Sequence, residues 1–352
     1  MGKKLNVGIV GAGNIAGQMS VALKAISDEV NLYAVASRKL EKAEAFKEEW
    51  GYEKAYGSYE ELAADDKVDL VYVATPHSEH YENTKLCLNY GRNCLVEKAF
   101  CGNSVQTNEL IRLAKEKNVL LAEAMWTRYL PSRQVVEDII SAGTIGDIKC
   151  IESDFSIPIF GVERLINPAL AGGALLDLGV YSLTVPAMYI DREISKVEIE
   201  SILGETGVDL TDVITITYEG GIVAKAKCSS VDEHSTNAKI IGEKGYMIFG
   251  PINAPEGIDI YDNEGTLIKK IDTPYIANGY EYEVLECKKM IESGELETKS
   301  MPWSETKRLM GWMDCVRKHI GVVYPFENKE DIDISDTDAW GENVEVNCIN
   351  NK

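Results

Sequence analysis

Within the stretch GGALLDLGVYSL, residues 172–183, Asp177 and Tyr181 stand four residues apart behind a pair of glycines. In a helix beginning near Gly173 the two side chains share one face. An aspartate in that place can accept a hydrogen bond from a substrate hydroxyl or orient a lysine. A tyrosine beside it can exchange a proton with a carbinol oxygen, provided a nearby ammonium favours the phenolate, since a phenol is a weak base at neutral pH. The lysine best placed by the sequence is Lys98, which with Glu97 closes the apolar run NCLVEK, residues 93–98. At the carboxyl end of a parallel strand, partly desolvated, it can hydrogen-bond a substrate oxygen. Each residue also has a plainer reading: a helix-start aspartate, a half-buried tyrosine, and a strand-end lysine in water.

A second string offers a seat for an anionic cofactor. Gly11-Ala12-Gly13-Asn14-Ile15-Ala16 follows the apolar run LNVGIV and opens a helix-like stretch. Gly11 allows a tight turn, Gly13 a close approach of a pyrophosphate, and Ala16 close packing of helix on strand. The phosphates would lie at the helix N-terminus, where N–H groups and the dipole favour anions. The alternative is a tight strand–helix turn without a ligand. At the end of the next apolar run, VNLYAVAS, the acid that would hold the ribose hydroxyls of NAD is absent, and Ser37-Arg38 stand in its place. A guanidinium there suits the 2′-phosphate of NADP, with NAD as a second possibility. A solvated arginine at a helix start is the other reading.

The elements that must position these groups follow from periodicity. Up to residue 122 the sequence alternates buried-strand runs (5–10, 30–37, 68–75, 93–98) with helical stretches, which predicts a parallel sheet covered on both faces. From Lys149 onward the runs are β-rich, YEGG and GEKG read as hairpin turns, and helices are expected near 279–293 and 303–319. The expected class is α/β, with an N-terminal dinucleotide-binding Rossmann domain at 1–122. An α+β domain at 123–352, carrying a largely antiparallel open sheet, would bind substrate and oligomerise. Its last part, 327–352, reads as an acidic solvated tail or surface loop. There Asp331, Asp333, Ser335 and Glu342 imitate a calcium loop, but Asp336 replaces the glycine such a turn needs.

Bulk properties narrow the partners. The 352 residues exceed what one core usually serves, and a net charge of −21 speaks against nucleic acid. The eight cysteines include no CxxC pair, as in a reduced cytoplasmic protein. No HExxH, no GxxxxGK[ST] loop and no apolar run long enough for a bilayer is read, so neither a metal nor a membrane is expected. Catalysis would then rest on a nicotinamide and ordinary acid–base groups.

Taken as a set, GIVGAGNIAG, VASR, VATPHSEH, VEKAF, EAMWTRYLP and RLINPALAGGALLDLGVYSL resemble the Gfo/Idh/MocA oxidoreductase family over about residues 4–326. Within it, WTRYLP and GGALLDLGVY are most similar to the branch of dimeric dihydrodiol dehydrogenases and D-xylose dehydrogenases, which uses NADP. The resemblance implies that Tyr181 is the acid–base residue, assisted by Lys98 and accompanied by Asp177, and that Arg38 reads NADP. It also implies that Thr75, Pro76 and His77 line the cofactor pocket with Glu97, and that Trp126 and Arg128 lie near the nicotinamide end. His80 sits in a similar motif with a structural role equally open. The substrate would be a cyclic polyol, an aldose or a trans-dihydrodiol, and the protein a homodimer or homotetramer through its C-terminal sheet.

One departure is Ala99, where the family has proline, a residue that restricts its neighbour and so helps hold the lysine. It keeps open a non-catalytic regulator that senses NADP and a sugar on the same scaffold. A reaction that reduces and reoxidises a tightly held cofactor within one cycle is a further possibility. Substrate choice falls to the loop 157–172, where Arg164 either meets a substrate group or pairs with an acid.

Overall fold

The apolar run Leu5–Val10 is buried along almost its whole length, as a strand with helices on both faces must be. A computed structural model describes residues 3–327, 339–341 and 344–351. The chain divides into two compact units, Met1–Tyr129 with Tyr275–Lys307, and Leu130–Pro274 with Arg308–Lys352.

In the first unit the order is β1 (Leu5–Val10), α1 (Asn14–Ala25), β2 (Val30–Ala36), α2 (Leu40–Trp50), β3 (Lys54–Tyr56), α3 (Tyr59–Ala64), β4 (Leu70–Val73), α4 (His77–Asn89), β5 (Asn93–Glu97), α5 (Ser104–Lys117) and β6 (Leu121–Ala124). All neighbours are parallel, in the order β3-β2-β1-β4-β5-β6. This is the Rossmann arrangement, and its order reverses between β1 and β4, where ligands of such sheets bind. The pair β3 and α3 was not expected, because a three-residue, half-buried strand prints no apolar run. Ser58 nevertheless starts α3 as a cap, its Oγ accepting the Glu61 N–H at 3.2 Å.

The sequence pattern places a single cut at 122/123, yet the chain returns to the first unit with residues 275–307. The reason is α9 (Glu281–Ser293): Val284, Cys287 and Met290 join the same buried cluster as Val7, Ile9, Leu95 and Ala122. An apolar helix face must be covered, and the nearest cover by sequence is not the one used.

The second unit holds α6 (Pro131–Ser141), β7 (Ile148–Ser156), α7 (Glu163–Ile166), a π-helical turn at Leu175–Gly179, α8 (Val180–Tyr189), β8 (Ile194–Leu203), β9 (Asp209–Tyr218), β10 (Val223–Ser229), β11 (Ala238–Gly242), β12 (Gly245–Phe249), β13 (Gly257–Asp262), β14 (Leu267–Asp272) and β15 (Glu345–Asn351). Most of α10 (Trp303–Ile320) belongs here too. Nine strands lie in the order β14-β13-β12-β11-β7-β10-β9-β8-β15. All pairs are antiparallel except β7–β10 and β8–β15. Alternation sorts the faces: Val197, Ile199, Ile214, Ile216, Ala224 and Ala226 are buried, and α8 and the π-helical turn pack on β7 and β10.

Two expectations are corrected. The stretch 327–352 is not simply a solvated tail, since it is built into the unit at both ends. Glu327 is buried against Arg317, Trp340 stacks on Trp312 with ring centroids 4.7 Å apart, and β15 pairs with β8. A buried guanidinium needs an anion, and the β8 edge offers unpaired backbone groups. Asp331, Asp333, Ser335, Asp336 and Glu342 lie outside the described residues. Secondly, the run Pro168–Tyr189 is long and apolar enough to cross a membrane by length and composition. Since 83% of its apolar window is buried within the protein, its apolarity is that of a core segment.

Candidate functional site

In the first unit the β1–α1 turn is shaped by its glycines. Gly11 has φ +102°, and a Cβ there would stand 2.8 Å from the Ala74 carbonyl oxygen, so glycine is required. At Gly13 a Cβ would meet nothing within 4 Å, and no side chain caps the first turn of α1. Asn14 is exposed, Ile15 half-buried and Ala16 fully buried. An open glycine floor before uncapped helix N–H groups fits the pyrophosphate of a dinucleotide. At the end of β2, Ser37 is buried and its N–H donates to the Tyr56 carbonyl at 3.2 Å, while Arg38 is exposed. Burial pushes the nearby Tyr59 phenol up, with the Arg38 charge pulling it down.

His80 ties the strand ends β4 and β5 together. Its Nε2 lies 2.7 Å from the Thr75 carbonyl oxygen and its Nδ1 2.8 Å from that of Ala99. Burial holds its pKa below the ordinary value, against the pull of those carbonyls. Beside it, Thr75 Oγ1 accepts from Asn83 at 3.2 Å, Pro76 precedes α4, and the His77 ring stands edge-on to His80 at 5.7 Å. Glu97 is turned inward, accepting from the Tyr72 hydroxyl and from the backbone N–H of Lys98. Lys98 is half-buried, and the Lys98–Ala99 peptide bond is cis. Ala99 is fully buried, with its carbonyl oxygen facing His80 Nδ1.

Trp126 and Arg128 share a short 3-10 turn, Trp126–Arg128. The Trp126 ring stacks on Tyr280, with centroids 4.2 Å apart and planes 11° from parallel. Arg128 is buried and donates to the Ser300 carbonyl at 2.8 Å and to Glu305 at 3.0 Å. Tyr280 escaped the sequence reading because it arrives with the returning segment, carrying no motif of its own.

Glu123, at the carboxyl end of β6, is fully enclosed. Burial pushes its carboxyl up to about 7, opposed by the Thr306 hydroxyl and the Arg128 charge and reinforced by Glu97. Because the folded value lies above the unfolded 4.5, the folded state holds a proton that the unfolded state releases. The stability it brings is full below pH 4.5 and is lost as pH rises through about 7, a change of about 3 kcal/mol. Urea unfolding at several pH values should show Glu123→Gln gaining on the wild type by that amount across the same window.

In the second unit the expected helix from Gly173 begins instead as a π-helical turn that contains Asp177, and Tyr181 lies in the first turn of α8. Such turns recur at functional sites. Asp177 Oδ2 accepts from Arg164 Nη2 at 2.8 Å, so of the two roles open to Arg164 the structure shows pairing with an acid. The Tyr181 ring packs on Phe155 of β7, with centroids 5.0 Å apart. Both glycines before the turn are required by close approach. A Cβ at Gly172 would stand 2.8 Å from the carbonyls of Leu165 and Asn167, and one at Gly173 2.2 Å from Asp209 Oδ1. Thus Thr75, Pro76, His77, His80, Glu97 and Lys98 gather at the strand ends of the first unit, and Arg164, Asp177, Tyr181 and Phe155 gather in the second. Among the described residues no cluster of His, Cys, Asp and Glu could hold a metal ion.

Residues 5–125 match the oxidoreductase family with NAD-binding Rossmann fold, GFO/IDH/MocA, and residues 134–248 match the GFO/IDH/MocA C-terminal domain. The chain is 31% identical over 335 residues to a trans-1,2-dihydrobenzene-1,2-diol dehydrogenase of Mus musculus, covering 92% of this chain and 99% of that one. Its fold is similar to a 3-ketoreductase from Actinomadura kijaniata in complex with NADP and TDP-benzene, with a TM-score of 0.79, 23% identity and coverage of 99% and 100% of the two chains. It is also similar to an aldose-aldose oxidoreductase from Caulobacter crescentus complexed with glycerol, with a TM-score of 0.81, 19% identity and coverage of 90% and 97%.

Proposed function

The chain belongs to the GFO/IDH/MocA oxidoreductase family, and on that premise we propose that it is an NADP-dependent dehydrogenase of a cyclic polyol, an aldose or a trans-dihydrodiol. The observation that carries this reading is the 31% identity to a dihydrodiol dehydrogenase across 92% of the chain. When bound, the nicotinamide supplies a ring carbon that exchanges hydride with the substrate's carbinol or carbonyl carbon.

The remaining work falls to this chain's own residues. The β1–α1 turn holds the pyrophosphate, and Arg38 meets the 2′-phosphate. Tyr181 takes the hydroxyl proton as the alcohol becomes a carbonyl and returns it in the reverse direction. Lys98 is the cation that favours the phenolate. Asp177, oriented by Arg164, accepts a hydrogen bond from a substrate hydroxyl. The reading includes a cytoplasmic homo-oligomer formed through the open face of the nine-stranded sheet.

The test is the initial rate of NADP reduction over a panel of aldoses and trans-diols, with NAD run in parallel. Turnover with NADP is expected, and Arg38→Ala should raise the KM for NADP about ten-fold while leaving that for NAD nearly unchanged, as loss of a ground-state contact does. Turnover with NAD alone would overturn the cofactor assignment. A second reading, a sensor of NADP and sugar without catalysis, is favoured by Ala99 alone. Its signature is tight NADPH binding with no turnover on any member of the panel.

A further inference from the structure

Asp209 and Asp212 are three residues apart on β9, a spacing that in a regular strand sends side chains to opposite faces. The strand is irregular there. Its register with β8 steps from Leu203–Asp209 to Ile202–Thr211, leaving Leu210 as the extra residue of a bulge. The bulge turns both aspartates to one side, where burial and the Asp209 charge push the Asp212 carboxyl up and Asp209 Oδ1 is enclosed, with no N–H among the described residues donating to it. Both are buried, 1% and 0% exposed. Two carboxylate anions have no proton to share and repel strongly in a dry interior, so the pair must hold one proton.

The surroundings place that proton on Asp212. Asp209 Oδ2 accepts the backbone N–H of Leu175 at 2.6 Å, and the Arg317 charge on α10 favours its anion. Asp212 faces weaker partners, with the Ser201 hydroxyl 2.5 Å from Oδ1 and the Cys228 thiol 3.7 Å from Oδ2. The other titratable groups facing the pair are Tyr324, which follows α10, and Cys348 of β15. Arg317 is itself held by Asp314 and Glu327.

The pair bears directly on the turn assigned to the chemistry. Leu175 opens the π-helical turn of Asp177. Gly173, at φ +121°, is the residue whose Cβ would collide with Asp209 Oδ1, and a Cβ at Gly179 would stand 2.9 Å from Cys228 Sγ. The glycines that bracket the turn therefore make room for Asp209 and for the thiol beside Asp212.

We propose that Asp209 and Asp212 form a one-proton carboxyl pair, Asp212 donating to Asp209, that fixes the position of the turn carrying Asp177 and leading into Tyr181. They are positioning residues, and the proposal rests on the reading of Tyr181 as the acid–base group.

The test uses the full chain and three variants. Asp212→Ala removes the donor to Asp209, and Asp212→Asn puts an N–H in its place. Asp212→Ala should lower kcat about a hundred-fold with the KM for NADP unchanged, since misplacing a reacting group acts on the rate rather than on binding, and Asp212→Asn should recover most of that loss. At about pH 8 the infrared difference between wild type and Asp212→Asn should contain a protonated-carboxyl C=O band, because a proton held by the fold persists above the ordinary carboxylate range. The folded pair retains a proton that the unfolded chain releases, so the melting temperature of wild type should fall relative to Asp212→Asn as pH rises. An Asp212→Asn protein as slow as Asp212→Ala, or an infrared difference without the band, overturns the proposal.

The infrared and melting readouts need no substrate, so they stand or fall even where Asp212→Ala fails to fold. A band that is present while Tyr181→Phe retains full turnover would locate the failure in the reading of Tyr181 and remove the pair's catalytic relevance with it.

Discussion

Replacing Tyr181 by phenylalanine should lower kcat by about three orders of magnitude, the middle to upper range for loss of a positioned acid–base group. The substitution removes one oxygen and keeps the ring that packs on Phe155 at 5.0 Å, so the fold of the second unit is expected to survive. The Kd for NADPH, read by its fluorescence, should stay within about two-fold of wild type, because the lost interaction is made chiefly in the transition state. Two carboxylates that could replace Tyr181 in this role are already engaged by other partners. Asp177 is engaged by Arg164 at 2.8 Å, and Glu97 is turned into the sheet to meet Tyr72 and the Lys98 N–H. A loss of less than about ten-fold would show that another group moves the proton, since even a modest acid–base contribution exceeds that factor.

Replacing Arg317 by leucine should destabilise the protein by about 3–5 kcal/mol, the cost of stranding buried charge. The guanidinium is enclosed, donating to Glu327 at 2.9 and 2.8 Å and to Asp314 at 2.7 Å, and it lies over the Tyr324 ring at 4.5 Å. Each carboxylate has a side-chain exposure of only 2%, so its loss of partner cannot be made good by water. Lysine should rescue little, because an ammonium cannot reproduce the paired N–H fork presented to Glu327. The measurement is urea unfolding at neutral pH, and a loss below about 1 kcal/mol would mean that the cluster behaves like a surface pair. The effect should reach the glycine pair as well, since the Tyr324 hydroxyl donates to the Gly172 carbonyl at 2.9 Å and its N–H to Glu327 at 2.8 Å.

These two expectations differ in how far the sequence foretells them. Tyr181 was visible beforehand, as the second member of a spaced pair in a glycine-marked helix start. The Arg317 cluster was not, because its anchor, Glu327, belongs to a segment whose acidity reads as solvation. Composition reports that a segment is charged and leaves open whether one of those charges is buried against a partner.

The sequence by itself determined the parallel sheet and the glycine turn after its first strand. Strands buried on both faces must be continuous apolar runs, and a turn with φ +102° against the Ala74 carbonyl must be glycine. It likewise determined the β-rich second half and its hairpin turns at YEGG and GEKG, since these are local rules of period and turn chemistry. The tertiary structure alone decided that Arg164 pairs with Asp177, that Tyr280 stacks on Trp126, that α9 returns to the first unit and that β15 closes the β8 edge. It alone turned Asp209 and Asp212 to one side, through a bulge that overrides the two-residue period. Periodicity tells which face of an element is covered, and only the fold supplies the residue, distant in the chain, that covers it.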